Sequence, residues 1–191
     1  LIIYELNEVP RKLLDFYIKK NPYSSFAKVS RLGTIINTET KDEGELSPWI
    51  TWPSVHRGVY NKQHKIKSIN QDLSYSKGFK PIWEILNENS IDIGLFGSLQ
   101  SFPPLKGKNI KFYLPDTFAP SPEAYPAKLK IYQDFNLRMT NKNKAISRGI
   151  SFEEIRKFSK LFLNRLISIK IVLKIIIHVL KEKFNSKYKS R

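Results

Sequence analysis

"KPIWEILNENSIDIGLFGSLQSFPP", Lys80 to Pro104, is the stretch on which the fold class turns. Pro81 suits a helix start, because the N–H it lacks would have no intrahelical partner there. Ile82, Trp83, Ile85 and Leu86 follow at the spacing of an inward apolar face. "NENS" ends that helix, and "IDIGLFG" is a short β-rich run that finishes on Gly97. A helix that feeds a buried strand is a piece of an α/β unit.

Working outward, "LIIYE" is an apolar run that ends on a carboxylate, the pattern of a buried strand delivering Glu5 at its C-terminal edge. "NEVPRKLLDFYIKKN" predicts a helix with Pro10 in the first turn and Leu13, Leu14, Tyr17 and Ile18 on one face. "GTIINTET" after Arg31 and Leu32 predicts a second strand. The alternation predicts an α/β domain, a mostly parallel sheet sandwiched by helices, with a basic helical C-terminal extension. In such sheets the site lies beyond the C-terminal strand ends, where Glu5 and the loop after Gly97 would meet.

A chain of 191 residues with 41% hydrophobic content holds one ordinary domain with an appendage. The absence of cysteine excludes disulfides, thiolate metal sites and cysteine nucleophiles, and fits a reducing compartment. A cytoplasmic or membrane-peripheral location is therefore expected. Leu1 falls inside an expected strand, so the sequence reads as a fragment with a truncated N-terminus. The net charge of +16 is uneven: residues 1–120 carry sixteen Lys/Arg against twelve Asp/Glu, and residues 121–191 carry seventeen against five. A basic tail on a near-balanced domain points to a separate surface role, and no nucleic-acid module accompanies it. The division expected is 1–140 as the N-terminal part of the α/β domain and 141–191 as a basic amphipathic helical segment.

Chemistry concentrates in "ITWPSVHRGVYNKQHKI", Ile50 to Ile66. Thr51 followed by Trp52 and Pro53 suits a helix N-terminus, where backbone N–H groups and the helix dipole favour an anion. Two roles are open for Thr51, a cap or a nucleophile, and the second needs a metal or a base to activate the hydroxyl. His56 and Arg57 are placed to line an anion pocket, since a planar guanidinium suits phosphate or sulfate. A solvated helix face is the plain alternative for both. His64 reads as a loop-packing or hydrogen-bonding residue, and Asp116 in "FYLPDTFAP" as an Asp-Thr turn. Trp49 and Trp52 are packing residues with the capacity to stack on a base or sugar.

The same segment resembles the nucleophile segment of type I phosphodiesterases and nucleotide pyrophosphatases of the alkaline phosphatase superfamily. Thr51, Trp52 and Pro53 match its Thr-Phe-Pro; Gly58, Tyr60, His64 and Ile66 match its later Gly, Tyr, His and Ile. The resemblance covers residues 1–120, the N-terminal half of that fold. It implies a metal-dependent hydrolase of phosphoric or sulfuric esters in which Thr51 attacks the ester. Ser54, His56 and Arg57 would bind the substrate, and Glu5 and Thr51 would hold one ion of a two-metal site, zinc by implication. The chain departs from the pattern in four ways: Glu5 stands for an Asp, Ser54 for an Asn, the helix between Ser54 and Gly58 is shorter, and no Asp-His pair follows downstream. The resemblance therefore also admits a catalytically inactive relative that binds an anionic surface.

The tail starts at "SFEE", a capping box of Ser151 and Glu154. Residues 151–184 predict one or two helices with Lys170, Lys174, His178 and Lys181 as a polar stripe. That stripe is too charged for a membrane span, which needs about 20 mainly apolar residues. Packing on protein and lying on an anionic membrane surface both fit.

Overall fold

The computed structural model describes residues 1–69, 71–141 and 152–184. Its central piece is the stretch quoted first. Helix α5 (Ile82–Glu88) has Pro81 as N-cap, and it leads through a turn into β1 (Ile93–Phe96). β1 pairs in parallel with β2 (Ile110–Leu114), with Leu95 opposite Tyr113. The core sits between helix and sheet: Trp83, Ile93, Leu95, Ile110 and Tyr113 are buried together, flanked by Leu86, Leu105 and Tyr125. Ile82 and Ile85, expected to face inward, are exposed, because so short a helix has only the Trp83–Leu86 edge against the sheet. Gly94 has a packing reason to be glycine. A Cβ there would lie 2.3 Å from the Phe112 ring on the neighbouring strand.

The expected mostly parallel sheet sandwiched by helices is not what forms. Among the described residues there is one sheet of two strands, surrounded by helices and long loops. Residues 1–5 and 34–40 are not strands. Both segments have β-type composition, but a strand is stable only when its N–H and C=O groups find a neighbouring ladder. Neither segment has one here, and Leu1, Ile2, Tyr4 and Ile36 remain largely exposed.

Other helices form along the chain, the one expected after Pro10 among them. α1 (Arg11–Lys20) follows Pro10 and carries Leu14 and Ile18 on its half-buried side. α2 (Ser25–Leu32) is capped by Ser24, whose hydroxyl accepts from the Ala27 N–H at 3.2 Å. α3 (Pro48–Arg57) and α4 (Asn61–His64) hold the motif residues. α6 (Lys130–Asn141) is joined to α7 (Phe152–Leu163) by ion pairs of Lys157 with Asp134 and Arg138 with Glu153. α8 (Ile169–Phe184) follows α7, so the described tail is two helices. The Ser151 cap lies outside the described residues.

Candidate functional site

α3 begins earlier than its sequence suggests. Ser47 is the N-cap and Pro48 opens the helix, which leaves Thr51 and Pro53 in its interior. Pro53 has no N–H to give to the Trp49 carbonyl one turn back. The Gln100 side chain supplies a donor instead, reaching that carbonyl at 3.4 Å. The helix ends at Gly58, whose φ of 64° is the left-handed cap conformation that glycine adopts without a Cβ penalty.

Two faces of α3 collect polar partners from distant segments. On one, Trp52 Nε1 donates to Asn7 Oδ1 at 3.0 Å and His56 Nε2 meets Glu5 Oε1 at 2.8 Å. The buried His56 ring lies between Trp52 and Trp83, with centroids 5.7 and 4.9 Å away. On the other face the Ser54 hydroxyl lies 2.6 Å from Asp42 Oδ2 and 2.9 Å from His64 Nε2. The direction of these bonds follows from the backbone. The Ile66 N–H can only donate, and it points at His64 Nδ1 at 3.0 Å, so the neutral ring carries its proton on Nε2. His64 therefore donates to Ser54, and Ser54 donates to Asp42, which also accepts the Asn61 N–H at 2.8 Å. Burial, then the nearby Arg57 charge, lowers the His64 pKa and favours this neutral form; Asp42 opposes both. The chain of bonds ties the 42 loop, α3 and α4 together. Its polarity is wrong for an imidazole base acting on Ser54.

Thr51 stands on neither face. Its hydroxyl donates to the Ser47 carbonyl at 3.1 Å, a bond internal to the helix. The first-turn placement expected for it is thus not found. The carboxylate of Glu5, the expected metal ligand, is engaged by His56. Among the described residues no group of three or more His, Asp or Glu side chains is arranged to hold a metal ion. These residues do not fit a two-metal centre as they stand.

Arg57 marks a different place. It lines a cleft of about 720 Å³ enclosed by Trp49, Trp83, Phe118 and the loops around Lys77 and Ser101. Its Nε and Nη1 atoms are out of water and have no hydrogen-bond partner. The same is true of Gln100 Oε1 and Ser101 Oγ, which line the same cleft. Burial lowers the Arg57 pKa, while Glu84 and then Tyr113 push it back up. Glu84 is raised by its own burial and lowered by Arg57. Asp116 is raised by burial and lowered by the N–H groups of Phe118, Gln100 and Ser101. Its carboxylate accepts from Phe118 at 2.7 Å, the Asx-type turn expected of it. The cleft floor is Tyr113, whose hydroxyl donates to the Ser101 carbonyl at 2.8 Å.

The sequence offered Arg57 as a residue of an anion pocket or a solvated helix face, whereas it offered neither Gln100 nor Ser101. The only signal for them was their place directly after a strand that ends in glycine. No protein-family model matches the chain, and no curated protein or solved structure matches it.

Proposed function

We propose that this chain carries the anion-recognition part of a hydrolase of phosphoric or sulfuric esters, related to the phosphodiesterases that its motif resembles, with Arg57 as the principal ligand of the ester group. The observation that supports this reading is the Arg57 guanidinium in the cleft wall, with two nitrogens lacking any partner. A buried cation without hydrogen-bond partners is costly, Glu84 offsets part of that cost through space, and an anion hydrogen-bonded to the guanidinium would recover more of it. A guanidinium pairs with a tetrahedral oxyanion through two parallel N–H donors. The Ser101 hydroxyl adds a donor beside it, whereas the unpaired Gln100 Oε1 is an acceptor and adds none; Trp49 and Phe118 give the ester an apolar wall.

The resemblance implies Thr51 as the attacking hydroxyl, but Thr51 does not line the Arg57 cleft and its hydroxyl is held by the Ser47 carbonyl, so attack from Thr51 requires a rearranged α3 and metal ligands other than the described residues. A second reading is a non-catalytic relative that keeps the anion site. The bond between Glu5 and His56 favours it, because it occupies the carboxylate that would serve a metal.

The test is a titration of the chain with inorganic phosphate and with sulfate, followed by calorimetry or amide chemical shifts. Arg57→Gln should weaken binding by about 10-fold or more, the worth of a charge-assisted hydrogen bond. Undiminished binding in a folded Arg57→Gln variant would sink the proposal. The chain alone should not turn over a chromogenic phosphodiester, with or without zinc. Turnover lost in Thr51→Ala would show that the ligand set is complete after all.

A further inference from the structure

We infer that α8 is an interfacial helix that lies on an anionic lipid surface. None of its residues with a described side chain is buried. Ile171, Leu173, Ile176, Ile177 and Leu180 are each 45–53% exposed, on a helix of sixteen residues. With residues set about 100° apart, Lys170, Lys174, His178 and Lys181 occupy an arc of roughly 80° and leave most of the rest apolar.

Charge complementarity selects the occupant. The apolar arc is too wide for one partner helix to cover, since a helix pair buries only a narrow seam. A second copy would cover part of the apolar arc and leave the lysines without a counter-charge. Nucleic acid would pair with the lysines and leave the isoleucines in water. A bilayer with anionic headgroups answers both features, with acyl chains for the wide arc and phosphate or carboxylate for the basic one. No described helix is long and apolar enough to cross a membrane.

The experiment is co-sedimentation of the full chain with phosphatidylcholine vesicles, with and without a phosphatidylserine fraction, across a salt series. Binding should favour the anionic vesicles and weaken as salt rises. Lys170→Glu with Lys174→Glu should reduce that binding by roughly 20-fold or more, about fivefold for each lysine removed. Leu173→Glu with Ile176→Glu should abolish it while circular dichroism still shows the helical content of the rest. Equal binding to both vesicles, or none to either, overturns the inference. A concentration-dependent dimer that the Leu173 and Ile176 variants dissolve, without lipid binding, assigns the face to a second copy instead.

Discussion

Thr51 and Ser54 are both hydroxyls of one helix, yet their surroundings give them opposite weights. Thr51 donates within its own turn, so Thr51→Ala should cost less than about 1 kcal/mol of stability. Ser54→Ala removes a donor to a carboxylate and an acceptor for a buried imidazole, and should cost about 2 kcal/mol in a denaturant titration. The sequence shows Thr51 first, because it heads the Thr-Trp-Pro match. Ser54 gains its importance from Asp42, twelve positions upstream in a polar loop, and no local pattern announces that pairing. His64 adds a pH dependence. Its folded pKa is lowered, so the unfolded chain binds more protons in the window below the ordinary value of about 6.5. Its contribution is complete above that pH and is lost as the pH falls through the window. Glu84 and Asp116, both raised, act in the opposite sense above the ordinary carboxylate range near 4. Comparing wild type with His64→Gln between pH 5 and 7 isolates the histidine part. An unchanged slope would mean that His64 is not the group responsible.

Elements were readable where a local signal met a nearby partner. Pro81, the Trp83–Leu86 edge and the Gly97 stop mark α5 and β1, and those two lie against each other. "LIIYE" and "GTIINTET" carry equally good β signals, but strand pairing is non-local and composition does not supply it. α3 shows a subtler failure. Pro53 resembles a first-turn proline, yet the true start is Pro48, and the carbonyl that Pro53 leaves free is served by Gln100. The other end was plain, since a glycine after "SVHR" suits a left-handed cap. Gly58→Ala meets no steric obstacle, because nothing lies within 4 Å of the added Cβ, but it forces a left-handed alanine. It should cost about 1 kcal/mol. A smaller loss would indicate that the helix end relaxes to another cap.

At the scale of the molecule, the basic excess and the lack of buried side chains coincide in α8. Residues 1–120 are near balance and hold the core built on Trp83 and Tyr113, together with the cleft. Residues 121–191 hold most of the excess positive charge, and α8 contributes no buried residue to that core. The charge asymmetry was visible in the sequence, whereas the cleft was not, because its walls come from segments far apart in the chain, around Trp49, Lys77, Trp83, Ser101 and Phe118. The two parts should therefore come apart functionally. A chain ended at Ser168 loses the exposed apolar surface of α8 and leaves Arg57, Gln100 and Ser101 where they are. Its phosphate titration should match that of the full chain within about twofold, and its unfolding free energy should change by less than about 1 kcal/mol, since no buried side chain is removed. Vesicle binding should disappear. If truncation instead weakens phosphate binding along with lipid binding, the tail supports the cleft, and the basic helix belongs to the ester site rather than to a surface of its own.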